Sequence, residues 1–561
     1  MVKELLEKIK DHLSKQGMIK GHSSAGTRGA EGDQFLRLTP DEYSEAGTPP
    51  TPILSLTEPV NHHHHISSMR DDHDLAWSTL VGYSQGSTSL LLPGNLRDDS
   101  PSSSHGSPYH QQFQLLHVDT VLSPARGSSF SRHSNFRLSD DSFESIQPIS
   151  TPPTFPFFLS PSPSDMHVFI DQVLEYYKQT VVTAQYLFAD DDVRDSIRAT
   201  VTSHGRSRHA ASLLASVHYQ RFCNPTAVAF ETQETQARMN QLWSLLDEQD
   251  LASGDAMAAL HVVSSYLFDG GIGQWENWIH VSYHYVRQLF DKFNGYAEAL
   301  MHCDPKDAFI IKTSLWFDVL ASVTTQKRPR YLDAIRALFD PNESRIFQIS
   351  SSDQDSMMSP MGCRNEVLWA LAETSHLSVW KKEEMDKGSL SMPTLIKYGM
   401  VINDVLTRSV EPSASADIHG CRTLASELFR SSARIYLQAV LSGDHPHVPE
   451  IVESVEDTID CMKRLFHHPA TTILNGQIMS HAVVRNTVFS FFICGAFAEK
   501  EEHRNVVGSL LMQEDVGTGN CGTIHQLLLQ LWKDRTPGEF HGHAQAVDWR
   551  SLLSQHKLLL V

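Results

Sequence analysis

Four clusters in this chain of 561 residues have the types and spacing to do chemistry. Asp191-Asp192-Val193-Arg194-Asp195 gathers three carboxylates, and Asn403, Thr407 and Glu411 recur at i, i+4 and i+8. On helices, groups so spaced share one face, and hard oxygen ligands of this kind hold magnesium against a diphosphate. Gly82-Tyr83-Ser84-Gln85-Gly86 has the Gly-x-Ser-x-Gly spacing that presents a serine nucleophile on a strand-to-helix turn. His62–His65, with His73 and neighbouring aspartates, offers imidazoles to a transition metal.

The elements that would have to position these groups argue against each. A nucleophile elbow needs a parallel sheet; here Pro93-Gly94 stops any following helix early, and no strand pattern supports a sheet. The two acidic motifs resemble those of all-α terpene synthases, but they lie far apart in sequence and the surrounding segments do not resemble that family. The segment Asp190–Asp195 reads as an acidic exit after a helix ending near Phe188, and acidic runs are usually solvated. The histidines sit in low-complexity sequence. Gly270-Gly271-Ile272-Gly273 lacks a downstream Gly-Lys-Ser/Thr and reads as a helix stop instead of a phosphate cradle. The expectation is therefore no catalytic, cofactor-binding or metal residue and no enzyme, with a magnesium-dependent terpene synthase-like enzyme as the alternative.

The chain carries a formal net charge of −20. A body this acidic repels phosphate backbones and excludes non-specific nucleic-acid binding. Its basic residues are scattered except for Lys327-Arg328-Pro329-Arg330, which reads as a helix-ending turn, with nuclear import as the other reading. The cysteine count of 7 is odd and includes no Cys-x-x-Cys, against a disulfide framework or thiolate cluster. Reduced, buried thiols in an intracellular protein are expected. No apolar signal core or run of about 18 apolar residues occurs, so no membrane partner is expected.

Residues 1–20 place Leu5, Ile9 and Leu13 at the spacing of a short amphipathic helix. Residues 21–165 are rich in Ser, Pro, Gly, His and Thr and read as a disordered arm, because they cannot bury enough apolar area to offset ordering. Ser or Thr precedes Pro at Thr39, Thr48, Thr51, Ser100, Ser107, Ser123, Thr151, Ser160 and Ser162, sites suited to proline-directed kinases. Leu138–Glu144 mixes acidic and apolar residues as activation segments do. From about Val168, helical spacing takes over: Phe169 through Phe188, then Ala256–Phe268, Trp278–Phe290, Phe309–Val323, Leu332–Phe339, Glu366–Lys381, Leu424–Leu441, Ile451–Phe466, Ala482–Phe497 and Ile524–Trp532. Pro305, Pro329, Pro446, Pro449 and Gly519 read as loops. The fold class expected is all-α: a large multi-helix domain over 166–561 behind a long disordered N-terminal segment.

Several blocks, in order, resemble the fungal-specific transcription factor domain, the regulatory region of fungal zinc-cluster transcription factors. Leu315–Thr325 running into Arg328-Pro329-Arg330-Tyr331 is the most specific. Leu213–His218, Met361–Val367 with Ala370–Glu373 and Trp380-Lys381-Lys382, Tyr436-Leu437 with Pro449-Glu450-Ile451, Cys494-Gly495-Ala496 as a small-residue turn, and Val547–Arg550 through Leu558–Val561 are similar to further blocks. The resemblance implies transcription regulation in the nucleus through protein partners of the transcription machinery, homodimerisation among its options, and no catalytic residues. DNA-binding members carry six closely spaced cysteines that hold two zinc ions. No cysteine precedes Cys223, so no zinc ligand carries over. No cofactor is expected in this chain, zinc entering only with an upstream cluster, and DNA is reached indirectly or through a missing N-terminal module. A helical scaffold outside the nucleus is the remaining reading.

Overall fold

A computed structural model describes residues 166–224, 228–341, 356–408, 415–469, 480–512, 519–535 and 546–561. Segments 1–20 and 21–165 lie outside the described residues, and with them Ser84, His62–His65, His73, the Ser/Thr-Pro sites and Leu138–Glu144; Glu411 does too. All described residues fall in one compact unit.

The described residues form an all-α body whose one strand-like pairing is an isolated bridge between Ile272 and Leu558. Its first half runs α1 (Met166–Tyr176), α2 (Asp191–Ser203), α3 (Gly205–Cys223), α4 (Gln233–Asn240), α5 (Ser253–Phe268), α6 (Trp275–Lys292), α7 (Tyr296–His302) and α8 (Pro305–Thr325). The second half runs α9 (Leu332–Phe339), α10 (Asn365–Asp386), α11 (Met392–Leu406), α12 (Ile418–Ser442), α13 (Pro449–Phe466), α14 (Val488–Phe497), α15 (Glu501–Leu511), α16 (Cys521–Asp534) and α17 (Trp549–His556). In the first half, α3 packs along α5, and α5 along α6. In the second, α12 and α13 fold back on each other, with α10, α11 and α14 against α12.

α8 joins the halves, touching α2, α5, α6, α10 and α17. It is the described helix long and apolar enough to cross a bilayer, yet nearly all of it is buried inside the protein. Its three buried charges have partners: the Asp307 carboxylate accepts from the Tyr285 hydroxyl at 2.7 Å, the Lys312 ammonium donates to the carbonyls of Ser356 and Ser359, and the Asp318 carboxylate accepts from Tyr331 N at 3.0 Å. That last bond ties the end of α8 to the turn leading into α9.

The prolines read as loops at 305 and 449 are the first residues of α8 and α13. At that position the missing N–H costs nothing and the fixed φ suits the helix. Asp304 completes the first start by accepting from Asp307 N at 2.9 Å. The helix expected to run from Phe169 to Phe188 has a π turn at Tyr177–Val181 and ends at Gln185. There the Tyr177 hydroxyl meets His261 Nε2 of α5 at 2.5 Å in a fully buried pair.

Candidate functional site

The acidic motif occupies the first turns of α2, a correction to its reading as an exit outside any helix. Carboxylates are favoured there by the helix dipole. Asp191 pairs with Arg194 at 2.7 Å and Asp195 with Arg198 at 2.6 Å, both aspartates strongly exposed. Asn403 and Asp404 lie on α11, and the Thr407 hydroxyl is spent on the carbonyl of Asn403. α2 packs on α3, α5 and α8, whereas α11 packs on α10 and α12, so the motifs have different surroundings. Among the described residues no three His, Cys, Asp or Glu side chains gather into a group that could hold a metal ion.

The basic turn after α8 is neutralised within the fold. Lys327 pairs with Glu276 at 2.8 Å, Arg328 with Asp333 at 2.9 Å, and Arg330 lies over the Tyr283 ring and against His280. Burial pushes the thiols of Cys363, Cys421, Cys461, Cys494 and Cys521 upward, which keeps them protonated and unreactive. Cys223 is exposed.

The glycine run ends α5 as expected and does more. Gly271, at φ +80°, brings its carbonyl to Leu559 N at 2.9 Å, and a Cβ there would meet the Leu558 side chain at 2.8 Å. The tail beyond α17 is thereby sewn into the core. Asn520 Nδ2 donates to the carbonyl of Leu559, Thr324 Oγ1 to that of Leu558, and Trp275 Nε1 to that of Lys557. Leu558, Leu559 and Leu560 are each 0% exposed.

A second fastening holds the start of α17. Asp444, just past α12, accepts from Trp549 Nε1 at 3.0 Å and from the Arg550 guanidinium through both carboxylate oxygens, while its own carbonyl accepts from Val547 N at 2.7 Å. Arg550 also stacks over the Trp549 ring at 4.2 Å. Beside this clamp opens a cavity of ≈ 300 Å³, walled by α10, the end of α12 and the Ala546–Arg550 segment. Lys381, Lys382, Asp386, Asp444 and Arg550 line it with apolar Val379, Met385 and Val440. A volume of this size accommodates a small organic molecule. Lys381 and Arg550 lie within blocks noted for their resemblance, but nothing in their local spacing places them around one space.

The fungal specific transcription factor domain matches residues 172–561, which is most of the chain. The chain belongs to this family. Its curated relatives include a trichothecene biosynthesis transcription regulator of Trichoderma arundinaceum, 39% identical over 106 residues, covering 19% of this chain and 24% of that protein. The corresponding regulator of Fusarium sporotrichioides is 30% identical over 105 residues, with the same coverage of 19% and 24%. A transcription factor of a Nectria species is 22% identical over 264 residues, 43% of this chain and 39% of that one. The chain thus aligns with about a quarter of the length of the first two relatives. No solved structure matches it. Within the fungal-specific transcription factor domain, the block read as a small-residue turn, Cys494-Gly495-Ala496, forms the last turn of α14. Its carbonyls accept from Trp532 Nε1 of α16 and from Arg535 just past that helix.

Proposed function

We propose that this protein is a nuclear transcription regulator whose helical body, residues 166–561, works through contacts with other proteins, a second copy of itself included. The family match over residues 172–561 carries the reading. Relatives named for the control of trichothecene biosynthesis support the regulation of a biosynthetic gene set. The net charge of −20 supports an indirect route to DNA. In this proposal the body has no catalytic role and no resident cofactor, and the arm at 21–165 answers to kinases and recruits machinery.

Deleting the gene should change the transcripts of a defined gene set, and a tagged full-length protein should be nuclear and occupy the promoters of that set. A tagged copy confined to the cytoplasm, with an unchanged transcriptome, would support the scaffold reading instead. Residues 100–165 fused to a heterologous DNA-binding domain should activate a reporter above the unfused control; equal output would remove the arm from the mechanism.

A further inference from the structure

The cavity beside the Asp444–Arg550 clamp holds an amine that the regulatory reading does not use. Lys381 stands on α10 with its side chain half-buried on the cavity wall. Its Nζ donates to the carbonyl of Val440, in the last turn of α12, at 2.6 Å, which fixes where the amine sits. Asp444 would be its natural counter-ion, but both Asp444 oxygens are engaged by Arg550 and one also by Trp549. Lys382 and Asp386 complete the charged lining, and Gln326 and Ser378 the neutral polar one. The amine therefore borders a space of ≈ 300 Å³ with no carboxylate among the described residues bound to it.

We propose that Lys381 is a carbonyl-capturing residue: it condenses with small aldehydes or ketones that enter this cavity, making the pocket a covalent, reversible input to the helical body. The nitrogen lone pair attacks the carbonyl carbon and the π pair moves to oxygen, which gains a proton as the nitrogen gives one up, solvent water relaying it. The nitrogen lone pair of the carbinolamine then expels the hydroxyl, which leaves as water with the second nitrogen proton, and an imine remains. Amine and carbonyl give imine and water, with no oxidant or reductant required.

The protonation state supports this chemistry. Burial, opposed by Asp444 and assisted by Arg550, lowers the Lys381 ammonium to about 8. At pH 7 such an amine is neutral about one time in ten, against about one in three thousand for an ordinary lysine. The neutral amine is the nucleophile, and the bond to Val440 consumes one N–H without using the lone pair.

The test incubates the full-length protein with benzaldehyde and sodium cyanoborohydride at pH 7.0, which traps any imine as a stable secondary amine, and maps the adducts by peptide mass spectrometry. Lys381 should be labelled about tenfold faster than the adjacent, exposed Lys382, the gain in neutral fraction being partly offset by lower intrinsic basicity. Raising the pH to 9 should narrow that ratio. Lys381→Arg, which keeps a cation able to donate to Val440, should lose this adduct while the remaining pattern and the melting temperature hold. Labelling that follows surface exposure, with Lys382 equal to or ahead of Lys381 at pH 7.0, would overturn the assignment. The wild-type map decides this even if the variant fails to fold.

Discussion

Arg336 of α9 and Glu373 of α10 form a two-point ion pair, Nε to Oε1 at 2.6 Å and Nη2 to Oε2 at 2.9 Å, with the carboxylate at 0% exposure. Burial raises the Glu373 carboxyl above its ordinary range even with the guanidinium opposing it, so the charge is held at a cost. Arg336→Met leaves that carboxylate buried without its partner, and should cost about 3–5 kcal/mol in urea unfolding. Arg336→Met combined with Glu373→Leu should recover most of the loss. A double variant as unstable as the single would mean that shape, not charge, holds α9 to α10.

Asp318 predicts a pH dependence with a defined sign. Burial raises its carboxyl from the ordinary 3.8 to about 6. Between those values the folded state holds a proton that the unfolded state has released, so Asp318 removes stability as pH climbs from 4 to 6. Linkage puts the loss at about 3 kcal/mol. Asp318→Asn should therefore gain on the wild type by up to about that amount over this window in paired thermal melts. A difference that stays flat with pH would show that Asp318 is ionised throughout.

The buried tail sets a third expectation. Leu559→Ala removes a fully buried side chain where Gly271 and Asn520 fix the backbone, and should cost about 2–5 kcal/mol. Removing residues 558–561 should leave the protein sensitive to proteolysis at temperatures where the full chain resists. Equal resistance of the two would mean that the core closes without the tail.

The aspartates of α2 should be dispensable. Asp191→Ala breaks an exposed pair and should alter stability by about 0.5 kcal/mol or less. Protein supplied with magnesium and prenyl diphosphates should release neither hydrocarbon nor diphosphate. Turnover that Asp191→Ala abolishes would restore the terpene synthase alternative.

Legibility from sequence followed the range of the interactions involved. Leu332–Phe339 was readable residue for residue, because one apolar face and a bounding proline turn are both local. α11 is absent from the helices expected by periodicity, although Ser391 and Pro393 mark its start and Ser391 Oγ accepts from Thr394 N. The segment Ala482–Phe497 is split at Thr487, whose φ of −123° interrupts the helix between Asn486 and Val488. The cavity at Lys381 was not legible: its walls come from four segments distant in sequence, two of them joined by the Asp444 clamp. Periodicity reports which face of a helix is buried and is silent about which helix covers it.

Thr324 and Gly271 hold backbone groups of residues that leave the ribosome long after them. At cellular elongation rates the interval between Gly271 and Leu559 is on the order of 15 to 60 s. Through that interval the ends of α5 and α8 stand open with the seats of Leu558, Leu559 and Leu560 empty, exposed to chaperones and proteases. Residues 558–561 are thus a late-arriving seal on the ends of α5 and α8.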